Sequence, residues 1–136
     1  MLIGVGVDLL HLARFRSLLA RRNPQRLAAR ICSPWEFEQW NGIQTGAQAR
    51  ESYLATRWAA KEAAYKALYP AFRATWKDLE IRKVDKKPFL VFSPSFVPPS
   101  SSCSVPQLRP EDVNMHLSIS HDADMLIAYV VAERIA

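Results

Sequence analysis

The chain has 136 residues, of which 49% are hydrophobic and 23% charged, which is enough to bury one modest core and predicts a single domain over residues 1–136. No run of about 18 apolar residues exists and Met1 leads straight into a strand-like stretch, so the expectation is no membrane partner, no visible targeting segment, and a cytoplasmic or mitochondrial-matrix setting. Cys32 and Cys103 are the only thiols and lack metal-ligand spacing, which argues against a disulfide scaffold or zinc site and for a reducing compartment.

Leu2 to Asp8 reads as a strand, with Ile3, Val5 and Val7 on one side and Gly4, Gly6 and Asp8 on the other. A strand bare of side chains at Gly4 and Gly6 lets a backbone or a ligand come close. Asp8 then either caps the following helix or ends that bare face as a ligand. His11 to about Arg21 is predicted helical, with Leu12, Phe15, Leu18 and Leu19 as its buried stripe. Asn23-Pro24 opens a second helix running to Ile31, and Ser33-Pro34-Trp35-Glu36 is a capping box opening a third that ends near Asn41-Gly42.

The net charge of +5 is concentrated in this region. Between Leu9 and Ile31 stand Arg14, Arg16, Arg21, Arg22, Arg26 and Arg30, with no Asp or Glu among them. Such a surface attracts nucleic acid, an anionic membrane or an acidic protein through the same long-range field, or is simply a solvated face, and charge alone does not choose.

From about Gln48 to just before Pro70 the residues are strong helix formers, with Tyr53, Ala60, Ala64 and Ala67 as the expected core stripe. Glu62 and Lys66 stand one turn apart, and Arg57 and Lys61 repeat that spacing as cation above cation. Stacked cations repel unless something anionic lies against them, so this face suits a phosphate with a divalent metal; the alternative is an ordinary exposed pair on a solvated helix.

Asp78–Val84 and Pro88–Phe92 form a predicted hairpin, with Leu79 and Ile81 inward. Residues Ser93 to Pro110 are crowded with Pro and Ser and read as a mobile loop. Asn114–Ser120 and Asp124–Ala132 close the chain as a second hairpin.

Three blocks in this order resemble the holo-[acyl-carrier-protein] synthases, the short 4'-phosphopantetheinyl transferases. Gly4-Val5-Gly6-Val7-Asp8 followed by Arg14 is similar to the family's opening G-x-G-x-D with its later Arg. Arg57-Trp58-Ala59-Ala60-Lys61-Glu62 followed by Lys66 resembles its central helix, and His116-Leu117-Ser118-Ile119-Ser120-His121 resembles its closing segment. The resemblance implies an α+β 4'-phosphopantetheinyl transferase fold, with a small antiparallel sheet packed against the long helix and the short N-terminal helices. Two departures stand out: His11 where the family often carries Glu, and Tyr69-Pro70-Ala71-Phe72 in place of a Gly-rich turn.

The implied reaction transfers the 4'-phosphopantetheine arm of coenzyme A to a serine of an apo-acyl carrier protein, as used in fatty acid biosynthesis, and releases adenosine 3',5'-bisphosphate. Asp8 and Glu62 match the metal carboxylates, for Mg²⁺ or its substitute Mn²⁺. Lys66 reaches the same phosphates, and Glu62, directly or through a bound water, takes the serine proton. Arg57, Lys61, Ser120 and His121 fall to the nucleotide or phosphates, with His121 either anchoring phosphate or moving a proton. His116 stays structural. Arg14, Arg21 and Arg22 become the docking field for an acidic carrier. Larger relatives carry two pseudo-repeats and this chain one copy, which implies a homotrimer with sites between protomers. The rival readings are a basic nucleic-acid-binding module, which accounts for the arginines but not for Asp8, Glu62 and Lys66, and a non-catalytic subunit of the same fold.

Overall fold

The computed structural model describes residues 1–95 and 108–135. Most of the loop expected between Ser93 and Pro110 lies outside them. In order come β1 (Leu2–His11), α1 (Leu12–Arg21), α2 (Pro24–Ile31), α3 (Pro34–Asn41), α4 (Ala47–Leu68), β2 (Leu79–Val84), β3 (Lys87–Phe92), β4 (Val113–Asp122) and β5 (Met125–Arg134). Among the described residues no helix is long and apolar enough to cross a membrane. The architecture is α+β, as expected.

The strands form two antiparallel sheets, a three-stranded one in the order β1-β5-β4 and the hairpin β2-β3. Both hairpin turns are two residues long and use left-handed backbone, at Asp85 (φ 48°) and Lys86 (φ 66°) in one and Ala123 (φ 49°) in the other, which matches the right-handed twist of the flanking strands. β1 runs further than its alternation suggested and ends at His11, whose Nδ1 accepts from the Arg14 amide and caps α1. Asp8 therefore lies inside the strand, and the capping alternative for it falls away.

The helix boundaries follow local chemistry. Asn23 accepts from the Gln25 and Arg26 amides, and the Ser33–Glu36 capping box is complete. Phe15, Leu19, Leu27, Ile31, Trp40 and Leu54 build one core cluster beneath α1, α2 and α3. The second lies between α4 and the sheets, where Ala59, Ala60, Ala63, Ala64 and Ala67 are all fully buried. Methyl groups keep that face of the helix thin, so the sheet packs close against its backbone.

Candidate active site

Close packing of β1 on α4 creates the site. A Cβ built on Gly4 would lie 2.3 Å from the Ala67 carbonyl oxygen, and one built on Gly6 only 1.8 Å from that of Ala63. Only glycine permits this approach, because the obstructing atoms are helix backbone and cannot yield. Asp8 is the next residue on the same face of the strand, so it arrives against the turn of α4 that carries Glu62 and Lys66.

Lys66 Nζ donates to the Val7 carbonyl at 2.8 Å and to Asp8 Oδ1 at 3.4 Å. Burial raises the Asp8 carboxyl above its ordinary value, and the Lys66 charge opposes that. Glu62 is also raised, first by burial and then by the negative field of Asp8, again with Lys66 opposing. Two partly buried carboxylates thus share one ammonium, an arrangement short of positive charge. Among the described residues no group of three or more His, Cys, Asp or Glu stands ready to hold a metal. Two carboxylates with open positions are the donor set Mg²⁺ takes when water and substrate phosphate complete its shell, so Asp8 and Glu62 fit that ion.

Two residues expected at the phosphates, Arg57 and Lys61, are largely buried. Lys61 is 1% exposed, and its Nζ donates to Glu36 Oε1 at 2.5 Å, the Ile31 carbonyl at 2.7 Å and the Trp76 carbonyl at 3.0 Å. It holds α3 and the entry to β2 against α4, with its ammonium directed to Glu36 and the two carbonyls. Burial lowers its pKa, an effect that Glu36 offsets. Arg57 is also buried, with its guanidinium 3.5 Å from the Tyr53 ring centroid and its Nη1 donating to Thr56. The spacing of Arg57 and Lys61 resembles an exposed charged column, but α4 is covered around most of its circumference. The signal missed was Glu36, which reads locally as a cap and in fact also meets Lys61 and the Ile81 amide at 3.0 Å.

Ser120 and His121 sit near the end of β4, on the opposite edge of the sheet from β1. Their side chains leave opposite faces. His121 shares the helix-facing side with Asp8 but lies two strands across and two residues further along, about 12 Å away, and Ser120 points to the outer face. One chain does not join them to the acid pair. His116 binds Glu133 Oε1 at 2.7 Å, in keeping with a structural role.

Arg14 and Arg21 line a cavity of about 420 Å³ together with Asp8, Phe15, Leu18 and Trp58. The cations therefore flank the same opening as one of the acids. Arg22 faces a neighbouring concavity with Arg21, Arg26 and Arg30. Among the described residues none of these arginines forms an ion pair with an acidic side chain.

The outer face of the large sheet is apolar and uncovered. Val5 pairs with Val131, Val7 with Tyr129, and Leu9 with Ile127 across β1 and β5. Val7 and Tyr129 are each 46% exposed, and Leu9 is 64% exposed.

Residues 4–121 match the family model described as the 4'-phosphopantetheinyl transferase superfamily. The chain is 35% identical to the holo-[acyl-carrier-protein] synthase of Geobacillus kaustophilus, over 99% of this chain and 92% of the relative. Its fold is similar to the Neisseria meningitidis enzyme of that name, with a TM-score of 0.75 and 26% identity over 98% of this chain and 100% of the other. It is also similar to the Bacillus anthracis enzyme solved in complex with coenzyme A (3',5'-ADP), with a TM-score of 0.73 and 28% identity over 98% of each chain.

Proposed function

The chain belongs to the 4'-phosphopantetheinyl transferase superfamily, among its holo-[acyl-carrier-protein] synthases, and from that premise we propose that it moves the 4'-phosphopantetheine arm of coenzyme A onto a serine of an apo-acyl carrier protein. The observation that carries the proposal is the pairing of Asp8 with Glu62 under the single ammonium of Lys66. Nothing in the core requires two acids there, and a diphosphate with its cation accounts for both.

The serine oxygen forms a bond to the phosphorus next to the pantetheine arm, and the bond from that phosphorus to the bridging oxygen breaks. Adenosine 3',5'-bisphosphate leaves with the bonding pair. Glu62 is placed to take the serine proton, and Lys66 to meet the charge that grows on the leaving oxygen. Asp8 and Glu62 would hold Mg²⁺, which when bound offsets charge on the diphosphate. Arg14 and Arg21, on the rim of the Asp8 cavity, orient an acidic carrier so that its serine enters beside the acids, and Arg22 extends the same field.

We also propose that the protein works as a trimer. The apolar outer face of β1 and β5 supplies the contact surface. A neighbouring copy is then the source of the Ser120 and His121 that one chain leaves remote from the acids. Tyr129→Asp places a charge in that face. Loss of both assembly in light scattering and transfer is expected; a monomer of full activity would refute the arrangement.

The test of the activity is incubation with an apo-carrier protein, coenzyme A and Mg²⁺, read by mass spectrometry. The expected product is the carrier plus one phosphopantetheine, absent with Asp8→Ala and Glu62→Ala. An unmodified carrier, or transfer that survives both substitutions, overturns the proposal.

A further inference from the structure

A cavity of about 680 Å³ that the transfer leaves unused lies beneath α1, between the start of α2, the end of α3 and the start of α4. Its volume is in the range of small-molecule sites, about 300–1,000 Å³. Leu19, Trp40 and Leu54, all buried, give it an apolar floor with Ile43 beside them, and the exposed Ala20 and Ala47 keep its edge open. None of its walls belongs to β1 or β5, so a neighbouring copy seated on that sheet face leaves it free.

The polar groups around this hollow are not equally available. Asn23 accepts from the Gln25 and Arg26 amides and caps α2, and the Gln25 side chain donates to Asn41 at 3.3 Å. Arg16 is paired with Glu51 at 3.0 Å. Arg50 is different. Its guanidinium lies 4.3 Å from the Trp40 ring centroid and its Nε donates to the Trp40 carbonyl at 3.5 Å, while the Trp40 indole donates to the Arg50 carbonyl at 3.2 Å. Among the described residues it has no salt-bridge partner. A guanidinium already held on an aromatic face loses little further freedom when it meets a ligand. The charges of Arg16 and Glu51 cancel, so one uncompensated cation stands over an apolar hollow.

Such a site discriminates among ligands. A nucleotide or inorganic phosphate would set polar surface against leucine and tryptophan, and a neutral hydrocarbon would leave the guanidinium without an anion. An apolar chain with one anionic head meets both demands. We propose that this cavity binds a single-chain fatty carboxylate, with the chain along Leu19, Ile43 and Leu54 and the carboxylate on Arg50. The site is separate from the acid pair, because α1 turns Leu19 and Ala20 to this cavity and Leu18 and Arg21 to the one that Asp8 lines. Binding here requires nothing of Asp8, Glu62 or Lys66, and stands whether or not the transfer does.

The experiment is calorimetric titration of hexanoate, octanoate, decanoate and dodecanoate, each below its micelle concentration, into the full chain, with decanol and decylammonium as head-group controls. Each methylene that enters the cavity is expected to tighten binding about three- to four-fold. Decanol should bind about ten-fold more weakly than decanoate, and decylammonium more weakly still. Two variants locate the contacts, Arg50→Gln and Ala20→Trp, the second filling the hollow from an exposed position on α1; circular dichroism checks folding. Arg50→Gln is expected to weaken decanoate about ten-fold and leave decanol unchanged, and Ala20→Trp to weaken both. Nuclear Overhauser contacts from the decanoate chain should reach the methyls of Leu19, Ile43 and Leu54 and not those of Val7 and Leu9. Absence of saturable binding in the parent overturns the proposal, whatever the variants do. So does a decylammonium affinity equal to that of decanoate, or a chain lying against Val7 and Leu9. Sedimentation with phosphatidylglycerol vesicles, without binding of any monomeric carboxylate, would assign Arg50 to a membrane surface and overturns it too.

Discussion

Replacing Gly6 with Ala tests whether the site depends on close approach of β1 to α4. The added methyl would lie 1.8 Å from the Ala63 carbonyl oxygen and 2.8 Å from both the Ala63 carbonyl carbon and the Ala67 nitrogen. To reach a tolerable contact the strand must withdraw by more than about 1 Å, since helix backbone cannot rotate away. Overpacking of this kind costs about 1–3 kcal/mol, which lowers a urea midpoint by about 1 M. Asp8 moves with the strand, and a displacement of that size at a reacting centre costs about 100-fold in rate. Two comparisons separate the causes. Gly46→Ala is strained by its φ of 121° yet meets nothing within 4 Å, so it should destabilise but leave the turnover of folded molecules intact. Adding Ala63→Gly to Gly6→Ala should not rescue it, because the clash is with the carbonyl rather than the side chain of residue 63. The assays are urea denaturation and carrier modification. A Gly6→Ala protein with the parent's midpoint and rate would refute the reasoning.

Three further perturbations probe other parts of the molecule. Lys61→Met leaves the buried Glu36 with only the more distant Arg57, whose Nε is 3.9 Å away, and should cost up to about 3–5 kcal/mol in urea unfolding; adding Glu36→Gln should recover part of that. Unchanged stability with a raised KM for coenzyme A would instead place Lys61 on the nucleotide. Burial pushes Asp78 upward, but donors from Thr75 and Ser95 outweigh it and hold the carboxyl below its ordinary value of 3.8. Its contribution is therefore present above that value and lost as pH falls through the lower folded one. Asp78→Asn should be less stable than the parent at pH 7, and the gap should close in acid; thermal melts across pH give the answer, and a gap that widens in acid would contradict it. Arg14→Glu with Arg21→Glu should raise KM for the carrier about ten-fold or more and leave coenzyme A binding within about two-fold, with equal loss of both counting against a docking role.

The hairpins and helix starts were legible because their signals are local. Asn23-Pro24 and the Ser33–Glu36 box each specify a helix start within four residues, and alternation marks the strands. The bare face of Gly4, Gly6 and Asp8 was legible as well, together with the one-turn spacing of Glu62 and Lys66. What packed against that face was not written there, since a glycine pattern states that something comes close without naming it.

The sequence by itself determined most of the elements and the three motif blocks, and it singled out Asp8 and Glu62 as candidates. Tertiary structure decided which cations of α4 are buried and which lies beside Asp8. Arg57 and Lys61 stand four apart on one face of α4, and Lys66 falls about 140° around the helix from Lys61, with Glu62; spacing sorts the faces but does not say which of them is covered. Packing of α3 places Glu36 beside Lys61, with Arg57 Nε 3.9 Å from the same carboxylate and its guanidinium over Tyr53 one turn earlier on α4, while Lys66 projects over the edge of the sheet to Asp8. A charge becomes structural or functional according to what is buried against it, and burial belongs to the assembled layers rather than to any one stretch of chain.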